Sequence, residues 1–265
     1  MNTENLTAGT DNHPVVVTRV AEEQWHALAD DQVVGCGDVS RRPDGRIFLS
    51  IDSWHGAVFD RLAGAMLAEL PKPLYTLVDE ADHDLTSGWE RVGFTVRRRE
   101  WEYVVPTDPQ VTGLGAVQPP TGVTIVPAGE AEEGPLRALD RAVRAEVGAT
   151  VGWQAMPAEV LPRPHRTTVL DPSKYAVAAQ AGQYVGLVRL ATVTRRPRIG
   201  LIAVLAGRHR SGIARALLAH TLGTLHRSGT ETASAEVYES NEAATALFEG
   251  IGARRANSNL ELVCR

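Results

Sequence analysis

One short stretch holds most of the chemistry this sequence can do. Residues 202–218 run from an apolar strand pattern into an amphipathic helix pattern, and the turn between them holds Arg208, His209, Arg210, Ser211 and Gly212. A helix N-terminus presents about four N–H groups without intrahelical partners, together with a partial positive charge. Gly212 has no Cβ, so an anion can approach the backbone closely. Arg208, Arg210 and Arg215 add charge around the same point. The spacing predicts a phosphate cradle; a solvated, basic helix cap satisfies it equally. The stretch lacks the Gly-Lys-Ser/Thr ending of a P-loop and the three glycines of a dinucleotide fingerprint. His165, His220 and His226 show no metal-ligand spacing. Cys36 and Cys264 are too few for a disulfide framework or a four-ligand zinc site, so no metal is expected.

The elements that must position this turn follow from hydrophobic periodicity. Residues 199–205 are a continuous apolar run, as in a central strand. Residues 211–226 read as a helix with Ala214, Leu217, Leu218, Leu222 and Leu225 in one stripe. Before them come a short strand at 123–127 and a helix at 130–147 with Leu136, Leu139, Val143 and Val147 on one face. A Pro-interrupted segment at 156–169 is expected to cap a cleft. A hairpin of 175–180 and 184–194 follows, around Ala181-Gly182. After them come a strand at 231–237, a helix at 241–251 ending at Gly252, and a strand at 260–264. The first half repeats this ending in miniature, with strands at 47–51, 74–79 and 95–104 and helices at 58–70 and 84–92. A shift of 159 residues sets Val78 on Val237, Glu80 on Glu239, Glu90 on Glu249, Gly93 on Gly252, Glu102 on Glu261 and Val104 on Val263, which suggests an internal repeat.

The fold class expected is α/β with a mixed sheet, in two related halves. The organisation expected is a disordered tail at 1–14, a first domain at 15–106, a Pro/Gly-rich linker at 107–121 and a second domain at 122–265. The chain has 265 residues, 43% of them hydrophobic, which is ample for a packed core. Its 27 basic and 32 acidic residues give a formal net charge of -5, which argues against nucleic acid and against a polybasic membrane anchor as partners. No apolar run reaches ~18 residues, no secretory signal opens the chain, and two cysteines suit a reducing setting, so a cytoplasmic location is expected.

Residues 204–218 resemble motif A of the GCN5-related N-acetyltransferases, the acetyl-CoA-dependent GNAT superfamily. Gly212 and Ala214 match its small positions, while His209 stands where Gln or Arg is usual. The stretch from Asn241 to Ala253, Asn-Glu-Ala-Ala-Thr-Ala-Leu-Phe-Glu-Gly-Ile-Gly-Ala, resembles motif B. The likeness covers residues 122–265. It implies acetyl-CoA as co-substrate, with the backbone of Ile202, Ala203 and Val204 pairing with the pantetheine arm. His209, Arg210, Ser211, Gly212, Ile213 and Ala214 would hold the pyrophosphate, and Asn241 would contact the CoA arm while capping its helix.

Acetylating an amine requires it neutral, whereas a free alkylamine has a pKa of ~10. In a GNAT branch similar to the ribosomal-protein alanine acetyltransferases, a Glu five residues before this Asn is the general base; here that residue is Glu236. The same branch uses a Tyr twelve residues after that Glu to protonate the leaving thiolate; here that position is Phe248. Tyr238 shares a strand face with Glu236 and is the alternative donor. Asp140, Glu146, Trp153 and Tyr175 are candidates to line an acceptor pocket suited to a cation.

The first half resembles a GNAT domain that has lost motif A. The ungapped shift sets Asp52-Ser53 where the second half has Ser211-Gly212, so this half is expected to bind no CoA. The resemblance implies a tandem-GNAT N-acetyltransferase, monomer or homodimer, moving an acetyl group to a small-molecule primary amine by direct attack. The alternatives are a non-catalytic acyl-CoA-binding module and a protein N-terminal acetyltransferase.

Overall fold

The computed structural model describes residues 14–42, 45–149, 170–191 and 196–265. The tail expected at 1–14 is therefore described only at Pro14. The segment at 156–169, with His165, and the residue Trp153 lie outside the described residues.

The first half contains β1 (Val16–Ala21), β2 (Gln24–Ala29), β3 (Gln32–Arg41), β4 (Ile47–Ser53), α1 (Gly56–Glu69), β5 (Leu74–Asp79), α2 (His83–Arg91) and β6 (Thr95–Pro106). A one-turn helix α3 (Pro109–Thr112) leads into the second half. That half contains β7 (Val123–Val126), α4 (Glu133–Ala149), β8 (Tyr175–Gln180), β9 (Gln183–Ala191), β10 (Arg198–Val204), α5 (Ile213–Arg227), β11 (Thr232–Tyr238), α6 (Glu242–Glu249) and β12 (Arg254–Cys264). The strand–helix–strand–helix–strand endings of both halves agree with the hydrophobic pattern. Strands β1 to β3 are additional to it. Asp30 and Asp31, at φ +48° and +61°, make the β2–β3 turn, and Ala181 and Gly182, at +50° and +75°, make the β8–β9 turn. Two successive positive φ values give a turn whose twist matches that of the strands it joins.

The strands form one mixed sheet in the order β1-β2-β3-β4-β5-β12-β6-β11-β10-β9-β8-β7. Each half gives its last strand to the other. β6 pairs with β11 of the second half, and β12 pairs with β5 of the first. The 159-residue shift carries the cross-strand pair Glu100–Tyr238 onto Asn259–Asp79, and Val105–Ala233 onto Cys264–Leu74. The repeat is therefore a pseudo-twofold arrangement, with β6 and β12 antiparallel at its centre.

Helices α1 and α2 cover one face of the first half, over Trp25, Leu62, Met66, Leu74 and Trp89. Leu260, Leu262 and Cys264 of the exchanged β12 belong to that core. Helices α5 and α6 cover the second half over Leu217, Leu218, Ala235 and Phe248, with Tyr103 and Val105 of the exchanged β6. Helix α4 lies on the opposite face, over Val177 and Leu187. Tyr103 and Leu262 are both 0% exposed. Fully burying one such side chain stabilises by about 1.5–3 kcal/mol, so each half is held by the strand it receives.

The stretch 107–121 connects the halves but is packed, unlike the loose linker its composition suggests. Asp108 caps α3 through the amide of Gln110 at 2.8 Å, and Leu114 is buried in the α5 core. The prolines here end local helix and strand; they do not prevent packing.

Candidate acetyl-CoA site

β10 runs antiparallel to β9, with its register broken between Ile199 and Leu201. Its parallel ladder to β11 holds only Arg198–Ser234 and Ile199–Ala235. Beyond that point the two strands part and leave a wedge. A cavity of about 710 Å³ opens there, between the end of β10, the N-terminus of α5 and the small-residue face of α6.

The loop 205–212 sets the geometry at the N-terminus of α5. Arg210 sits at φ +59° and Gly212 at +86°, and Gly212 is the N-cap with no side-chain bond. The left-handed conformation at Gly212 is strained for any residue with a Cβ. Among the described residues, the backbone N–H groups of Arg210, Ser211, Gly212, Ile213 and Ala214 find no acceptor. Arg210, Ser211 and Gly212 are exposed, and amides left open at a helix N-terminus fit an anion. The residues present thus suit a pyrophosphate, by backbone donors and Arg charge.

The cavity is lined by Ile202, Ala203, Val204, His209, Arg210, Ser211, Gly212, Ile213, Ala214 and Asn241, ten of the residues singled out in the sequence. Asn241 caps α6, accepting from the Ala244 amide at 3.1 Å. Arg208 and Arg215 line it too, with Ala243, Ala244, Ala246 and Leu247 of α6. These α6 residues lie in the stretch that resembles motif B but were given no role there; three alanines on one helix were the available signal, because small side chains let a ligand approach.

Two expectations are corrected, and one gains detail. Phe248 does not line the cavity. It is 3% exposed in the α5–α6 core, stacked on Tyr103 at 6.0 Å. The shift sets it on Trp89, a buried aromatic on α2, so the position is a packing site in both halves. His209 lines the cavity, but its Nε2 lies 2.8 Å from the Val204 carbonyl, so the ring clamps the end of β10. Asp52-Ser53 does not stand at the Ser211-Gly212 position. The parallel ladders set Phe48–Tyr75 against Arg198–Ser234, which brings Asp52 onto Ile202 at a strand end.

Glu236 and Tyr238 share the sheet face opposite α5 and α6, on β11 past its last pair with β10, and neither lines the 710 Å³ cavity. Arg198 Nη1 donates to Glu236 Oε2 at 2.9 Å. The Arg98 guanidinium lies 5.8 Å from the Tyr238 ring. The expected acceptor residues are otherwise engaged. Asp140 is 5% exposed and accepts from Arg144 Nε at 2.6 Å. Tyr175 is buried beside it, and burial pushes its hydroxyl pKa up. Glu146 accepts the Ala206 amide at 3.0 Å, tying α4 to the start of the cradle loop. Among the described residues no group of three or more His, Cys, Asp or Glu could hold a metal. No described helix is long and apolar enough to cross a membrane.

Residues 148–253 match the model of the acetyltransferase (GNAT) family. No curated protein matches the sequence. Among solved structures, a GCN5-related N-acetyltransferase from Sphaerobacter thermophilus superposes with a TM-score of 0.60 at 17% identity, over 93% of this chain and 81% of that one. A tandem GNAT protein from the clavulanic acid biosynthesis pathway gives 0.64 at 12% identity, over 91% and 82%. A GCN5-related N-acetyltransferase from Kribbella flavida gives 0.59 at 15% identity, over 95% and 89%. At these identities the likeness is one of fold, and it spans both halves of the chain. Residues 148–253 thus carry a likeness to the acetyltransferase (GNAT) family, and the fold of the whole chain is similar to that of a tandem GNAT protein.

Proposed function

We propose that this protein is a cytoplasmic N-acetyltransferase that binds acetyl-CoA in its second half and acetylates a primary amine of a small molecule. The carrying observation is the row of open amides from Arg210 to Ala214 beside the parted end of β10. The amides and Arg208, Arg210 and Arg215 hold the pyrophosphate, and the edge of β10 at Ile202, Ala203 and Val204 takes the pantetheine arm as a neighbouring strand would. Acetyl-CoA supplies the activated acyl group. The amine nitrogen attacks the thioester carbonyl, a C–N bond forms, the C–S bond breaks, and the thiolate leaves with the electron pair. Glu236 accepts the amine proton, directly or through water, a role worth roughly 10²–10⁴-fold in rate. A thiol of pKa ~8.5 leaves without a dedicated acid. That fits Phe248, which has no proton to give, with Tyr238 the alternative donor.

A non-catalytic acyl-CoA-binding module is the second reading, favoured by the burial of Phe248 and by the ion pair that Arg198 makes with Glu236. The two part on thiol release from acetyl-CoA across a panel of amines, including a peptide N-terminus. Turnover that falls at least a hundredfold in Glu236→Gln supports the enzyme. Tight acetyl-CoA binding with no turnover on any amine establishes the module instead.

A further inference from the structure

The connector between the halves encloses a second cavity. Its residues lie along α5, with Leu114 buried in the α5 core, yet about 400 Å³ stays open between connector and helix. Ligand cavities start at about 300 Å³, so this one has room for a small molecule. Ala216, Ala219 and Gly223 recur at helical spacing on α5 and carry no bulk into the space. Leu114, Val117 and Pro119 of the connector and Ile125 of β7 close the other sides. The body of the cavity is therefore apolar.

Its charge is of one sign. Of the residues lining it, only His220 and Arg227 carry titratable side chains. Arg227 reaches back along the helix: a Cβ at Gly223 would lie 3.4 Å from Arg227 Nη1. The absence of a side chain at Gly223 thus gives the guanidinium its place, one turn nearer to His220. Arg227 Nη2 donates to Thr224 Oγ1 at 3.0 Å, and Arg227 makes no ion pair among the described residues. Burial, then the Arg227 charge, pushes the His220 pKa below its ordinary value, and Glu130 opposes them by less. The ring is then neutral at pH 7 and offers an N–H beside the Arg227 charge.

We propose that this cavity binds a small carboxylate with an apolar body, its carboxylate against Arg227 and the His220 N–H and its body between Ala216, Ala219 and the connector. A few polar groups at one part of an apolar cavity fix the orientation of such a ligand, and a guanidinium–carboxylate bond is a strong one. None of the residues lining this cavity lines the 710 Å³ cavity, so the site is separate from the cradle and stands whether or not acetyl-CoA binds there.

The test titrates octanoate, and octan-1-ol as its uncharged analogue, into the full chain by calorimetry. Octanoate is expected to bind wild type at one site, and octan-1-ol at least tenfold more weakly. Arg227→Gln is expected to weaken octanoate at least tenfold and to leave octan-1-ol unchanged. Arg227→Lys, which keeps the charge, is expected to lose less. Ala219→Leu fills the cavity while keeping a strong helix former on α5, and is expected to abolish binding of both molecules with circular dichroism unchanged. No saturable octanoate binding to wild type, equal affinity for octanoate and octan-1-ol, indifference to Arg227→Gln, or full octanoate binding in Ala219→Leu overturns the proposal.

Discussion

The two strand-to-helix turns of this molecule are the same device at two stages of completion. In the first half, two residues join β4 to α1; in the second, eight join β10 to α5. Both parallel ladders stop after two pairs, so both halves contain the parting of strands. Only the second turn is long enough to wrap an anion with open amides. In the first half Thr76 lies buried at the parting and donates its hydroxyl to the Leu49 carbonyl at 2.9 Å. The shift sets Thr76 on Ala235, which has no hydroxyl. Asp82 and Asn241 meanwhile cap α2 and α6 with nearly identical backbone angles, φ -85° with ψ 80° and ψ 75°. The helix cap survives in both halves and the anion loop in one. Folding needs the cap, and the proposed cofactor binding needs the loop.

Five substitutions break or sharpen this contrast. Gly212→Asp has the largest effect. It puts a Cβ at φ +86° and a negative charge in the cradle. Acetyl-CoA affinity is expected to fall more than a hundredfold, read by calorimetry, while circular dichroism reports a folded protein. Glu261→Ala comes next. Glu261 is 2% exposed, pairs with Arg46 at 3.1 Å and Arg98 at 3.2 Å, and also meets Arg97. Removing it leaves buried guanidinium charge without its carboxylate where the exchanged strands cross, a loss of about 3–5 kcal/mol by urea denaturation.

Thr76→Ala should cost about 1–3 kcal/mol, because the Leu49 carbonyl loses its partner in a buried site. Acetyl-CoA affinity should not change, since that parting carries no cradle. A shift in affinity would show that the first half takes part in cofactor binding.

The smallest effect concerns Arg99, which joins the halves by gripping Glu80 at 2.6 and 2.7 Å and Glu239 at 2.9 Å. The hydrogen bonds from Arg99, then Ser258, hold the Glu80 carboxyl below its ordinary value of 4.5. A depressed carboxylate contributes stability above its unfolded pKa and loses it as pH falls through the folded one. Glu80→Gln should therefore cost less than about 1 kcal/mol at pH 7, given the exposure of the pair, and should flatten the stability curve below pH ~4.5. Glu239→Gln, which loses a single bond, should cost less still. Equal costs would remove the asymmetry between the halves at this arginine.

Much of this was legible in the residues. The amphipathic stripes of α1 and α5, the apolar run of β10 and the Asn241 cap all read directly, because periodicity and capping are local. Strands β1 to β3 did not, since Gly35 and Gly37 and the polar residues of β3 dilute its alternation. At Gly37 a Cβ would come within 2.5 Å of Met66 Sδ, so the thioether would have to shift to admit one. Trp25 and Ala27 in alternation before Asp30-Asp31 were the usable signal. The strand exchange was beyond any local reading. β6 and β12 carry equivalent patterns, so each suits the edge of either half, and only the pairing register separates the two topologies. Phe248 shows the reverse problem. A motif position marks a catalytic group in one branch of a family, but its burial in this chain is set by Tyr103, a residue from the other half.

The most direct test is the stoichiometry of acetyl-CoA binding to the full chain by calorimetry. One site per chain in wild type, absent in Gly212→Asp, is the predicted result. Two sites, or one site that persists in Gly212→Asp, would contradict the division of the two halves into one that binds and one that does not.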